Sequence, residues 1–242
     1  MKVVGVVQAR MGSTRLPGKV LMPLAGVPVV EHVSRSIEAI ERIDQIVLAT
    51  TNDERNDPLE AWATGMGYHC IRHDIEDDIA GRIAAVFAAT DAEAMLKCNG
   101  DCPLADSDLM RAMVDAFLEI DGCDYLSNKV RFTYPLGVSA EVLGRAAIDW
   151  CDRSLTDPAE RELVCDYIRD HTDRFTVAGM TQEIDQSRLG LMLDEERDYT
   201  ELQNLFAALE NNGRPFGLND VLLHLGEAPA MLEGKIELAG DR

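Results

Sequence analysis

Three cations, two glycines and two hydroxyl residues follow a short apolar run in the string Gln8-Ala9-Arg10-Met11-Gly12-Ser13-Thr14-Arg15-Leu16-Pro17-Gly18-Lys19-Val20. Such a string can hold a polyphosphate. Gly12 and Gly18 let backbone N–H groups approach an anion closely, and Arg10, Arg15 and Lys19 supply charge-assisted hydrogen bonds to its oxygens. A Walker A loop is excluded, because five residues separate Gly12 from Gly18 and Val20 stands where the magnesium-binding hydroxyl is required. A second informative string, Asn99-Gly100-Asp101-Cys102-Pro103-Leu104, ends another apolar run. There the Asp101 carboxylate, on a turn preceded by glycine, can point at the phosphates held by the first loop. The plainer explanations are a solvated surface loop for the cations and an Asx turn for Asp101.

The elements that must position these groups follow from periodicity. Short apolar runs at 3–7, 45–50, 68–72, 94–98, 124–128 and 189–193 read as strands. Helical spacing follows Pro28, the Asp57-Pro58 start that closes at Gly67, Ile79, and a cap at Ser107 or Asp106. Further helices are expected over 146–153 and over 158–171 behind an Asp157 cap, then through 202–209 and 218–225. Strands alternating with helices imply an α/β fold with a doubly wound, mostly parallel sheet. The cationic loop, Asp101 and Asp194 then all sit past the carboxyl ends of strands, where open α/β sheets place ligands. The expected organisation is a main domain over 1–216 and a C-terminal helix and tail over 217–242. That helix is expected to pack on the domain or on another subunit, which allows a homodimer. Residues 233–242 have little to bury and are expected to fray.

The 242 residues are enough for one sizeable core, and 46% apolar content is ordinary. With 43 acidic against 23 basic residues and a net charge of −20, nucleic acid and anionic membranes are poor partners. The six cysteines at 70, 98, 102, 123, 151 and 165 form no C-x-x-C pair and read as buried thiols. No secretory signal or membrane-length apolar run is read, so a cytoplasmic location is expected.

The whole string from Gln8 to Val20 resembles the signature of the cytidylyltransferases that activate acidic sugars, most closely their spore-coat polysaccharide biosynthesis branch. The resemblance extends along most of the chain. Asp78 and Arg82 resemble the segment that helps enclose base and sugar, with Gly81 where relatives usually carry aspartate. The stretch Gly100-Asp101-Cys102-Pro103-Leu104 resembles the motif whose aspartate binds magnesium, with Lys97 where relatives often have arginine. The stretch from Tyr134 to Val142 resembles the acceptor-side strand and loop, Glu141 matching a carboxylate there. Glu160-Arg161-Glu162-Leu163-Val164 resembles a Glu-Arg-Glu-His-Val box in which Leu163 replaces the histidine; by themselves its charges read as a solvated helix face. Asp194 takes the place of the second magnesium ligand in a Leu-Asp-Thr-Pro-Glu-Asp-Tyr segment, and Asp198 can be an N-cap.

The resemblance implies a nucleotide-diphospho-sugar transferase (GT-A-like) fold and a Mg2+-dependent nucleotidyltransferase. Gln8, Ala9, Arg10, Gly12, Ser13, Arg15, Lys19, Asp78 and Arg82 would bind CTP or another NTP. Asp101 and Asp194 would hold the metal, Arg15, Lys19 and Asp101 would serve the reaction, and Tyr134 and Glu141 would meet an acidic sugar. Pyrophosphate would leave. Two alternatives stand beside this: a glycosyltransferase using a finished nucleotide-sugar, and a nucleotide-binding protein without catalysis.

Overall fold

A run of β-branched residues avoids water on both faces only in a sheet covered by helices on each side, and Val3–Gln8 (β1) occupies such a central place. The computed structural model describes residues 1–210 and 216–240. After β1 come a small hairpin of Pro23–Leu24 (β2) and Val27–Pro28 (β3), then helix Val29–Glu38 (α1), strand Gln45–Thr51 (β4) and helix Asp57–Gly65 (α2). Strand His69–His73 (β5), helix Ile79–Thr90 (α3), strand Ala94–Asn99 (β6) and helix Ser107–Glu119 (α4) complete the first half. The second half holds Tyr125–Ser127 (β7), Glu141–Gly144 (β8), Arg145–Ser154 (α5), Pro158–Glu162 (α6), Val164–Asp170 (α7) and Val177–Thr181 (β9). Helices Glu196–Glu210 (α8) and Leu218–His224 (α9) and strand Lys235–Leu238 (β10) follow.

Among the described residues the main sheet has the order β10-β9-β7-β8-β6-β1-β4-β5. β1 pairs in parallel with β4 and β6, β4 with β5, and β7 with β9, while β8 and β10 run antiparallel to their neighbours. Side chains alternate across the sheet. Val3 and Val7 join a core layer with α1, α2, α4, α8 and α9, whereas Val4 and Val6 join the opposite layer with α3, α5 and α7. The expected doubly wound, mostly parallel sheet is therefore present. Among the described residues no helix is long and apolar enough to cross a membrane.

Three expectations change. Residues 189–193 lie outside the main sheet, because β9 and β10 fill the positions beyond β7. The segment instead runs beside two loops: Leu136 N–H donates to Leu189 O at 2.8 Å, Leu191 N–H to Leu136 O at 2.7 Å, and Leu193 N–H to Asp101 O at 2.9 Å. Second, the helix expected over 158–171 divides into α6 and α7 at Leu163, whose backbone leaves the helical region (φ −100°, ψ 35°). Third, residues 235–238 do not fray: their backbone pairs antiparallel with β9 although their side chains stay exposed. Backbone hydrogen bonding, and not apolar burial, holds this edge strand; residues 241–242 lie outside the described part. Leu218, Val221 and Leu222 of α9 are buried in the same core layer as α8.

Gly137 sets how close the 189–193 segment can come. It adopts φ +98°, and a Cβ there would lie 2.5 Å from Leu191 C and Met192 N. Gly137→Ala is expected to cost about 1–3 kcal/mol through strain and overpacking. Urea denaturation checks this as a lower midpoint with an unchanged slope.

Candidate active site

The loop leaving β1 turns back on itself before it delivers Lys19. Gly18, at φ +75°, donates its N–H to Met11 O at 3.0 Å and starts the 3-10 turn Lys19–Leu21. Asn56, 2% exposed, anchors the other limb: its Oδ1 accepts from Met11 N–H at 2.8 Å while its amide donates to Thr51 Oγ1 at 2.7 Å. Sequence reasoning passed over this asparagine, which lies just past the polar loop that follows β4. The Ser13 hydroxyl accepts from Leu16 N–H at 3.3 Å and stabilises the turn from within.

Lys19 is only 7% exposed, so its ammonium must be compensated inside the protein. Its Nζ lies 2.7 Å from Asp101 Oδ2 and 3.3 Å from Asp194 Oδ1, and it donates to Leu193 O at 2.7 Å. Arg15 pairs with the other oxygen of Asp194. Asp101 makes no Asx turn among these contacts; its carboxylate faces Lys19. Asp198, three positions into α8, accepts from the N–H groups of Asp194 and Glu195 at 2.9 Å each and fixes the backbone that presents Asp194. The expected convergence is thus seen in the geometry: two carboxylates from distant segments meet one cation of the first loop. Two hard oxygen donors within reach of one positive charge also suit a divalent cation that completes its shell with waters and phosphate oxygens. Among the described residues no group of three or more His, Cys, Asp or Glu side chains offers a fuller protein cage.

These groups line a cleft of about 340 Å³ at the carboxyl edge of the sheet. Gln8, Ala9, Arg10, Ser13, Arg15, Lys19, Arg82, Asp101 and Asp194 all border it. Arg10 pairs with Glu76 and stands 4.0 Å from Asp77. Arg82 is 3% exposed; burial, aided by the like charge of Arg10, pulls its guanidinium below the ordinary arginine value against the opposing pull of Glu76, Asp78 and Asp77. Sequence reasoning missed Glu76, Asp77, Ile79, Asn99, Glu162 and Met192 as further lining residues. Only Asn99, two places before Asp101, and Glu162, inside the resembled box, carried a local signal.

Four predicted site residues do not border the cleft. Gly12 packs under the guanidinium of Arg55, with a virtual Cβ 3.4 Å from its Nη1. Asp78 caps α3 through Gly81 N–H at 2.9 Å and accepts a fork from Arg161, Nε and Nη2 both at 2.9 Å, with His73 Nε2 at 3.1 Å. Burial opposes its charge, yet Arg161, Gly81 and His73 together hold its carboxyl below the usual aspartate range. Tyr134 is buried and its hydroxyl donates to Met231 O at 2.6 Å, joining the loop to the chain before β10. Glu141, 4% exposed, is held by Lys97 at 2.6 Å, Lys129 at 3.3 Å and the Tyr125 hydroxyl at 2.9 Å. Register explains this: Lys97 of β6 stands directly opposite Glu141 of β8. All six cysteines are free thiols, and burial pushes Cys98 up to about 12 and Cys102 well above its usual value, which leaves them unreactive.

A family profile for cytidylyltransferases matches residues 4–137. The chain is 31% identical over 212 residues to the spore coat polysaccharide biosynthesis protein SpsF of Bacillus subtilis, an alignment covering 83% of this chain and 85% of that protein. It is 30% identical over 118 residues to the 3-deoxy-manno-octulosonate cytidylyltransferase of Trichlorobacter lovleyi, covering 49% of this chain and 46% of that one. A solved cytidylyltransferase from Leptospira borgpetersenii superposes with a TM-score of 0.86 at 26% identity, over 93% of this chain and 94% of the other.

The buried Lys97–Glu141 pair yields a stability prediction. Removing one partner leaves an uncompensated charge, so Lys97→Met is expected to cost about 3–5 kcal/mol in chemical denaturation. Burial disfavours the charge of Glu141, but Lys97 and Lys129 outweigh it and hold the folded carboxyl well below the usual glutamate range. Its contribution to stability is therefore complete above that range and is lost as pH falls toward the folded value. Acid unfolding followed by circular dichroism should be shallower in Glu141→Gln than in the wild type.

Proposed function

The chain belongs to the cytidylyltransferase family, and on that premise we propose that it couples CTP to a hydroxyl of an acidic sugar destined for a polysaccharide, releasing pyrophosphate, with Mg2+ as cofactor. The observation that supports this reading most is the meeting of Asp101 and Asp194 at Lys19, beside Arg15. Charge arithmetic supports the cofactor. The cleft carries four cations, Arg10, Arg15, Lys19 and Arg82, against five carboxylates, Glu76, Asp77, Asp101, Glu162 and Asp194. A triphosphate adds further negative charge, and a divalent cation on the two aspartates offsets part of it.

In this reading Arg15 and Lys19 turn from the aspartates toward the β- and γ-phosphates, leaving the carboxylates to the metal. Bound there, Mg2+ supplies Lewis-acid stabilisation of charge on the phosphate oxygens. The sugar hydroxyl attacks the α-phosphorus in line and gives up its proton to water, the bond from phosphorus to the bridging oxygen breaks, and its electron pair leaves on pyrophosphate. Arg15 and Lys19 stabilise that departing charge and Arg10 orients the chain of phosphates. Lys19 is buried, so water screens its charge little.

Incubation with each of four NTPs, Mg2+ and a panel of acidic sugars, following pyrophosphate, tests the proposal. Pyrophosphate is expected with CTP and only when an accepted sugar is present; release of a nucleoside phosphate from a nucleotide-sugar would point to the glycosyltransferase alternative. Asp101→Ala and Asp194→Ala should each slow release by about a hundred- to thousandfold. Near-wild-type turnover by either variant would remove the basis of the assignment. Chelation of divalent ions with EDTA should abolish turnover, and added Mg2+ should restore it.

A further inference from the structure

The cleft wall carries charges beyond those of the cationic loop. Arg161 donates five hydrogen bonds: two to Asp78, one to the Asp152 carboxylate, and one each to Asp152 O and Leu155 O. Asp78 is the N-cap of α3, so this fork ties the short helix α6 to the turn that carries Ile79 and Arg82. The next residue, Glu162, is thereby placed on the cleft wall with Asp77, Ile79 and Arg82. Glu162 is exposed at the cleft mouth, and among the described residues its carboxylate has no hydrogen-bond or ion-pair partner. Arg82 is 3% exposed, yet its Nε has no partner and only its Nη2 is committed, to Glu76 O. A buried guanidinium with unused donors and a free carboxylate thus line the same cleft.

A lone carboxylate repels a triphosphate, so Glu162 belongs to the nucleoside end. Cytosine presents an amino donor at N4 and acceptors at N3 and O2. Uracil presents an acceptor at O4 and a donor at N3. A carboxylate accepts from an amino group and cannot donate to O4, while a guanidinium donates to O2 or N3. We infer that Glu162 and Arg82 select the nucleobase, Glu162 accepting from the cytosine amino group and Arg82 donating to its acceptor edge, with Arg161 positioning Glu162. This rests on the proposed use of a cytidine triphosphate and identifies the residues that reject uridine triphosphate.

Calorimetric titration of the whole protein with CTP and with UTP, in Mg2+, reads the selection without turnover. The wild type should bind CTP about tenfold or more tighter than UTP. Glu162→Gln, whose amide can donate to O4, should lower that ratio by about tenfold, with UTP gaining affinity. Glu160→Gln removes the same charge from a residue of α6 that does not line the cleft and should leave the ratio unchanged. Arg161→Lys, which keeps the charge and loses the fork, should lower the ratio while Arg161→Met lowers it further. An unchanged ratio in Glu162→Gln overturns the inference. Equal wild-type binding of CTP and UTP also overturns it but leaves the phosphate site standing. Binding of neither overturns both this inference and the proposed function.

Discussion

A lysine ammonium removed from water has to find negative charge within the fold, and Lys19 finds it in two places at once. One partner, Asp101, ends the strand next to β1; the other, Asp194, lies 175 positions along the chain. The ammonium therefore joins the first loop to the last part of the cleft, and Leu193 contributes both a carbonyl to Lys19 and an N–H to Asp101 O. Because β1 and β6 are parallel neighbours, their loops emerge side by side at one edge. The 189–193 segment closes that edge from outside the main sheet, at a distance set by Gly137.

Two further charge clusters surround this centre. Away from the cleft, the Glu141 carboxylate is shared by Lys97, Lys129 and the Tyr125 hydroxyl. Beside the cleft, Asp78 and Arg161 lock α6 onto the start of α3. Both clusters use residue types usually read as catalytic, yet their charges are spent on each other. The carboxylate beside the second cluster, Glu162, differs because among the described residues it has no hydrogen-bond or ion-pair partner. In a chain of net charge −20 the cleft gathers four of the cations and sets them against five carboxylates, so it lies far closer to neutrality than the chain as a whole.

Much of the first half was legible because its signals are local. Apolar runs, the Asp106 cap and the proline before α1 each act over a few residues, and the elements they announce are present. The tail was misjudged because an edge strand needs only a partner's backbone and its four side chains remain exposed. Strand β9, with glycine at its centre and no clean alternation, gave no period to detect. The apolar run at 189–193 looked like a strand for the ordinary reason, and pairing elsewhere in the sheet displaced it.

By itself the sequence determined the chemical inventory: a cationic glycine loop behind a buried strand, acidic residues in the turns that close the cleft, and an α/β alternation that sends those turns to one edge. These follow from residue type and short-range spacing. Only the tertiary structure decided which charges are shared and which remain free. It gave Glu141 to Lys97 through cross-strand register, gave Asp78 to Arg161 across 83 positions, and left Glu162 facing the cleft. The physical reason is that a charge is assigned by whichever opposite charge burial brings beside it, and that neighbour is chosen by long-range packing that no local pattern records.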